Sequence, residues 1–308
     1  MSCSIRKEAV RVLRETEAGR ASEITKEIDG ERYVWRFIPE ERLILLGGGH
    51  IAVPLCKMAS MLDFAVTVVD DRPSFANSAR FSDAAQVICE SFAKAIEDLQ
   101  IRPSDYVCVI TRGHRWDGEC LRQILRGEYP SYLGMIGSRR RVTGLLGLLR
   151  EEGFDAERLA AIHTPIGLKI GAETPAEIAV SICAELVQHR RSHPAEEDDA
   201  VLERTDTNFE LLRFLAEGKA PAALMTVIST MGSTPVESGA IMIMDSLGRT
   251  IGTVGGGCGE AEVMTAARHL IGTGQAKIIE VDMTNDIAEE EGMVCGGKMS
   301  VLIEDIGN

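Results

Sequence analysis

The sequence predicts an α/β protein: a doubly wound, parallel Rossmann-like sheet joined to a second, smaller α/β domain. Three observations carry that expectation. Short apolar runs of the kind buried on both faces alternate with segments of helical period between residues 42 and 190. A run of three glycines, Gly47–Gly49, separates the first of these runs from a helical segment. A charged stretch containing a proline, "RRSHPAEEDDAVLERTDT", then divides this series from a further set of strands and helices.

Taken in order, residues 4–18 read as a helix, and "EITKEIDGERYVWRF" reads as a hairpin turning at Asp29-Gly30. "RLILLGG" is an apolar strand, residues 50–62 are helical, and "AVTVVDD" is a second strand. "AAQVICE", "DYVCVIT" and "SYLGMIG" are further short strands between helical segments. The helix opening at "TPAEIAVSICAELVQHRRS" has Thr174 as N-cap, Pro175 in the first turn and Glu177 to complete a capping box. Beyond the charged stretch come a helix near 208–217, the strand "AALMTVIST" and the loop "MGSTPVESG". A hairpin turning at Leu247-Gly248 follows, then a helix near 260–271 and the strands "AKIIEVDM" and "KMSVLIEDI". The expected organisation is residues 1–40 as an N-terminal helix and hairpin, 41–192 as the Rossmann-like domain, 193–207 as a linker and 208–308 as the second domain.

At 308 residues the chain is long enough for two cores. Apolar residues make up 45% and charged residues 26%, which places it among globular proteins in water. No apolar run approaches the roughly 20 residues that span a bilayer, and the charged N-terminus does not read as a secretory signal. The expected location is the cytoplasm, without a membrane partner. A net charge of −14 argues against nucleic acid, while small anions remain eligible because backbone amides bind them locally. Of the eight cysteines, Cys56, Cys89, Cys108, Cys120 and Cys183 lie in apolar segments and read as buried thiols. Cys258 and Cys295 differ, because glycines surround them. No pair has the spacing of a structural zinc site.

In "LILLGGGHIA" a strand leads through glycines into a helix. Gly47 permits the tight turn, Gly49 lets backbone approach a phosphate, and Ala52 stands where a third glycine is usual. Asp70 ends the next strand, where a carboxylate would hold a ribose hydroxyl and disfavour a 2′-phosphate. His50 is either a ligand contact at the helix start or simply an exposed residue there. Two later segments fall at the same sheet edge. "TRGHRWD" contributes Arg112 and His114, and "GMIGSRRR" contributes Gly137, Ser138 and Arg139 at a helix start. Arginines there oppose the helix dipole, a conflict that a bound anion would offset; the alternative is a solvated basic patch.

The motifs "LILLGGGHIAVPL", "VVDDRPSFANSARF", "TRGHRWDGECL", "YLGMIGSRRR", "HTPIGLKIGAETPAEIAVSICAELV", "GSTPVESGAIMIM", "GTVGGGCGEAEV" and "MVCGGKMSVLIE" together resemble the XdhC/CoxI family, accessory proteins of xanthine dehydrogenase and related molybdenum hydroxylases. The resemblance covers roughly residues 40–190 and 208–305. The family commonly places the GSTP–GGGC–CGG domain before the Rossmann domain, whereas here it comes after. A circular permutation, or loss of one domain copy from a longer arrangement, would account for the order.

The resemblance implies a chaperone-like protein that binds, protects and delivers the molybdenum cofactor, as molybdopterin or its dinucleotide form, to an apo-hydroxylase. A xanthine dehydrogenase-type enzyme is the implied partner, a cysteine desulfurase a further one, and a homodimer the implied assembly. The family's cysteine motifs fall on Cys258 and Cys295, expected to touch molybdenum, carry sulfur or close a reversible disulfide. A thiolate is a soft ligand, and a helix N-terminus favours it. Gly255, Gly256 and Gly257, with Gly296 and Gly297, would turn backbone amides towards an anion. Two other classes stay open: an NAD-dependent oxidoreductase, whose proton-transfer group would be His114 or His163, and a thiol redox regulator using Cys258 and Cys295.

Overall fold

A computed structural model of the chain describes residues 2–28, 31–192, 201–205, 209–218, 220–283 and 297–307. Cys295, Gly296 and the Asp29-Gly30 turn lie outside the described residues. In chain order the elements are α1 (Ser2–Glu17), β1 (Ser22–Ile28), β2 (Glu31–Phe37), β3 (Arg42–Leu46), α2 (Ala52–Met61), β4 (Ala65–Val69), β5 (Gln86–Ile88), α3 (Phe92–Leu99), β6 (Tyr106–Val109), α4 (His114–Arg126) and β7 (Tyr132–Met135). They continue with α5 (Arg139–Glu151), α6 (Ala156–Ala160), α7 (Pro175–Arg191), β8 (Val201–Thr205), α8 (Phe209–Glu217), β9 (Ala222–Met231), β10 (Ile241–Asp245), β11 (Thr250–Gly252), α9 (Gly257–Leu270), β12 (Ala276–Asp282) and β13 (Lys298–Asp305). The chain divides into two compact units, residues 40–194 and residues 1–39 together with 195–308.

The unit of residues 40–194 is a parallel sheet in the order β5-β4-β3-β6-β7. Leu43–Leu46 of β3 are wholly buried, as are Val107–Val109 of β6, because helices cover both faces. One face carries α2 and α7 through Ala52, Leu55, Ala179, Ile182 and Leu186. The other carries α3, α4 and α5 through Phe92, Ile96, Leu121, Ile124, Leu145 and Leu149. Helix α7 opens with the expected capping box, in which the Thr174 hydroxyl accepts the Glu177 amide and the Glu177 carboxylate accepts the Thr174 amide. The strand order reverses direction between β3 and β6, and at such a point the loops beyond the strands' C-terminal ends leave a crevice.

The second unit is built on an antiparallel sheet, β11-β10-β9-β13-β12. Strand β9 alternates strictly. Ala223, Met225 and Val227 meet Val263, Ala267 and Leu270 of α9, whereas Ala222 and Leu224 meet Ala9 of α1 and Leu211 and Leu215 of α8. Strands β1, β2 and β8 form a small separate sheet, in which β8 falls within the charged stretch between the two expected domains. Ile24, Trp35 and Phe37 from that sheet pack with Val12, Leu212, Ile228 and Leu302. The N-terminal helix and hairpin, expected as a separate segment, therefore join the antiparallel unit; two buried aromatics on β2 supply the reason. One cysteine also departs from expectation. Cys89 is exposed, because it lies just past the short edge strand β5, whereas Cys56, Cys108, Cys120 and Cys183 are buried.

Gly47 takes φ +122°, and a Cβ there would run into the carbonyl oxygen of Ile110. Gly47→Ala is therefore expected to destabilise the parallel unit by about 2 kcal/mol or more, measured by urea unfolding. A loss below about 0.5 kcal/mol would mean that the β3–β6 approach is looser than described.

Candidate functional site

The loops after β3, β4, β6 and β7 converge on the crevice. After β3, Gly47 crosses against Ile110 at the end of β6, and Gly48 packs so closely that a Cβ would lie 2.6 Å from the Phe75 carbonyl oxygen. Gly49 has open space where its Cβ would stand, which leaves its backbone approachable. His50 is exposed just before α2. Asp70 follows β4 as expected but turns inward, with 1% of its surface exposed. Its Oδ2 accepts the Gly48 amide at 2.9 Å and Arg72 Nη2 at 2.9 Å. Its Oδ1 accepts the Arg72 amide at 3.1 Å and Arg72 Nε at 2.8 Å. Burial opposes its charge, yet these donors, Arg72 first, hold its carboxyl below the ordinary aspartate range. A ribose hydroxyl would have to displace them.

What the crevice presents instead is guanidinium. Arg72 lies over the Phe75 ring, 3.6 Å from its centroid. Arg80 donates to the carbonyls of Gly48 and Gly49 at 3.3 and 3.4 Å. Arg112 makes a two-pronged pair with Asp71, its Nη1 on Oδ1 and its Nη2 2.8 Å from Oδ2, and lies 4.4 Å from the centre of the Trp116 ring. The Arg112 hydrogen bonds hold the Asp71 carboxyl down. Thr111 donates to buried Asp117 at 2.6 Å and accepts the Gly113 amide, fixing the turn before α4. His114 is exposed as the first residue of α4. Gly137 and Ser138 precede α5, and Ser138 is its N-cap without a side-chain cap bond; Arg139 is the first helical residue. The structure thus gathers Gly47, Gly49, His50, Asp70, Arg112, His114, Gly137, Ser138 and Arg139 at one sheet edge. Arg72, Asp71 and Arg80 are additions that sequence reasoning missed.

His163 has a partner that the sequence did not disclose. Its Nδ1 lies 3.3 Å from Glu185 Oε1, and its ring stacks on Tyr132 at 4.5 Å. Glu185 also accepts the Tyr132 hydroxyl at 2.6 Å and the Gly167 amide at 2.7 Å. Tyr132 begins β7 and is fully buried. The group ties residues 163–167 to α7.

In the antiparallel unit the glycine loop behaves differently from expectation. Gly255, Gly256 and Gly257 all take positive φ, at +123°, +70° and +64°. The amides of Val254 and Gly256 donate to Glu260 Oε2 at 3.1 and 3.0 Å, and the Thr253 hydroxyl donates to the same oxygen at 2.5 Å. Partial burial works against that carboxylate, yet these donors hold it below the ordinary glutamate range. Of the amides expected to face an external anion, that of Gly256 is taken by the chain's own acid and that of Gly255 by the Thr253 hydroxyl. A Cβ on Gly255 would meet Pro235, and one on Gly297 would meet the Ser233 carbonyl oxygen and Thr234, so the GSTP loop, the GGGC loop and the start of β13 do come together. Cys258 is the second residue of α9. Among the described residues no group of three His, Cys, Asp or Glu side chains is set to hold a metal ion.

Comparison with known proteins agrees with this division. Residues 43–186 match the family described as the XdhC Rossmann domain, and residues 215–282 match the one described as the XdhC and CoxI family. The chain is 38% identical over 155 residues to "Uncharacterized protein YqeB" of Escherichia coli (strain K12), covering 50% of this chain and 28% of that protein. It is 35% identical over 159 residues to a probable xanthine dehydrogenase subunit of Bacillus subtilis (strain 168), covering 52% and 46%. A crystal structure described as a xanthine dehydrogenase from Bacillus halodurans shares 34% identity over 52% of this chain and 47% of that one, with a TM-score of 0.46. The chain spans less than half the length of these curated relatives.

Two outcomes follow from the buried Asp70 carboxylate. Asp70→Asn is expected to lower stability at pH 7 by about 1–3 kcal/mol, because Gly48 and Arg72 lose a charged acceptor. Since the fold depresses the Asp70 carboxyl, its contribution is present above the ordinary aspartate value of about 3.9 and is lost as pH falls through the lower folded value. Urea midpoints recorded from pH 7 to pH 3 should therefore draw closer for wild type and Asp70→Asn as pH falls below about 4. A gap that does not narrow over that range would assign the effect to packing.

Proposed function

The chain belongs to the XdhC and CoxI family, and from that premise we propose that it is an accessory protein to a xanthine dehydrogenase-type molybdenum hydroxylase. In this reading it binds the molybdenum cofactor, protects it and passes it on. The parallel unit holds the phosphorylated end of the cofactor, which in the dinucleotide form is a diphosphate. The observation that carries the reading is the crevice at the β3–β6 reversal, where Gly49 leaves open space beside the Arg80 guanidinium and Arg112 follows β6 at the same end of the sheet. These residues suit a phosphate group. The glycine loop before α9 fits one less well, since Glu260 holds the Gly256 amide and the Thr253 hydroxyl holds the Gly255 amide.

When bound, the cofactor would supply the molybdenum centre that the hydroxylase uses. The chain's own part is to bind and orient it. Cys258 in the first turn of α9 is the thiol assigned to the metal or to a transferable sulfur, with Cys295 as its companion; a cysteine desulfurase would be the sulfur donor and a homodimer the working assembly. The similarity of half the chain to a protein described as a probable xanthine dehydrogenase subunit supports the partner class.

A nicotinamide-dependent oxidoreductase is the second reading, favoured by the same crevice. His163 has the carboxylate partner on Nδ1 that orients a proton-transfer histidine, from Glu185, and is the candidate base of this reading.

The test is to purify the protein without oxygen from molybdate-supplied cells and assay it for bound pterin, molybdenum and nicotinamide together. Pterin with molybdenum is the expected result, and Cys258→Ala should lower both metal content and activation of the partner hydroxylase by about tenfold or more while the fold persists. Nicotinamide alone, reducible on the protein, would install the second reading in its place.

A further inference from the structure

We propose that the crevice of the parallel unit takes a nucleoside diphosphate group and that Asp71 is its internal competitor, holding Arg112 until the diphosphate replaces it. The inference rests on the reading that this unit binds the phosphorylated part of a ligand. Its basis is the sheet order. Strand β3 lies between β4 and β6, and the glycine loop Gly47–Gly49 follows β3. Asp71 stands two residues past β4, and Arg112 stands three residues past β6. Adjacent strands are about 4.8 Å apart, so a pair joining the outer two reaches across roughly 10 Å, over the loop between them. The ion pair therefore crosses the place where a diphosphate would meet the amides that open α2.

The arrangement is suited to exchange. Both terminal nitrogens of Arg112 engage Asp71, which is the two-pronged geometry that a phosphate also offers. Trp116 supports the flat face of the guanidinium, so Arg112 keeps its orientation when the carboxylate leaves. The pair is partly exposed, with 31% of the Arg112 side chain and 23% of the Asp71 side chain accessible, so opening it costs little. Asp70 is not a competitor of this kind, because it is buried and bonded to the Gly48 amide. A diphosphate brings more negative charge than one carboxylate and would also meet Arg80 beside Gly49. Once the ligand is seated, Asp71 stands beside it as a like charge that weakens binding.

The experiment titrates ADP into wild-type protein and into Asp71→Asn, Arg112→Gln and Asp98→Asn by calorimetry, with thermal unfolding to confirm that each variant is folded. Asp98 is an exposed acid on α3 paired with Lys94, and its variant makes the same change in net charge away from the crevice. The expected result is ADP binding that tightens about fivefold in Asp71→Asn, weakens about fivefold or more in Arg112→Gln and stays unchanged in Asp98→Asn. ADP binding equal in wild type and Asp71→Asn would overturn the competitor role while leaving the phosphorylated-ligand reading intact. Equal tightening in Asp98→Asn would overturn it in favour of a general charge effect. No affinity for ADP in wild type or in Asp71→Asn would overturn the inference together with its diphosphate premise, independently of whether pterin and molybdenum copurify.

Discussion

One buried carboxylate organises the crevice. Asp70 accepts the Gly48 amide and three hydrogen bonds from Arg72, so the loop after β3 and the loop after β4 are fastened to a single charge. The consequences spread outward. Arg72, once held, lies flat on Phe75, and the Phe75 carbonyl in turn packs against Gly48 so tightly that only glycine fits. Asp70 offsets its own desolvation through these charged donors. Neither Gly49 nor Arg80 would have its present setting without that anchor, because Arg80 reads the carbonyls of the same loop.

Charge is distributed unevenly around this anchor. The chain carries a net charge of −14, yet the rim of the crevice draws on Arg72, Arg80, Arg112 and Arg115, and Arg140 and Arg141 follow in the first turn of α5. Arginines in the first turn of a helix face the positive end of its dipole and gain nothing from it. Asp70 and Asp71 offset two of these cations within the fold. The rim is therefore partly balanced on the β4 side, where Arg72 and Arg112 are paired, and cationic towards α5, which suits the anionic ligand of the proposed function.

Much of the fold was legible because it rests on local pattern. Apolar runs such as Leu43–Leu46 announce strands buried on both faces, and the Thr174–Glu177 box announces α7 by itself. Gly47 was legible as a tight turn because the physical demand, positive φ against a neighbouring strand, admits no other residue comfortably. The failures share a different cause. Asp71 and Arg112 are separated by 41 positions, and nothing local says that the sheet order brings them together. The inward turn of Asp70 depends on Arg72, whose side chain could as well have pointed to solvent. Glu260 is an acid in the first turn of α9, and nothing local says that the positive φ angles of three glycines fold the preceding loop back over its carboxylate. The destination of the N-terminal hairpin depended on which core had room for Trp35 and Phe37, a matter of volume rather than of sequence pattern.

The two glycine loops of the molecule make opposite uses of the same backbone chemistry. In each, successive amides at a helix start converge and must find an acceptor. Around Gly255–Gly257 the Val254 and Gly256 amides go to Glu260, four residues downstream of Gly256, and the Gly255 amide goes to the Thr253 hydroxyl, so the chain's own side chains take most of that loop. At Gly47–Gly49 the Gly47 amide continues the sheet by donating to the Val69 carbonyl, and the Gly48 amide goes to Asp70, while Gly49 opens onto unfilled space. An amide already bonded to a carboxylate can accept a second anion only by giving up the first, and that exchange carries the full cost of desolvating the displaced charge. The open end of the first loop carries no such cost. In the proposed function, recognition of a phosphorylated group therefore falls to the parallel unit, and the antiparallel unit contributes Cys258, the second residue of α9.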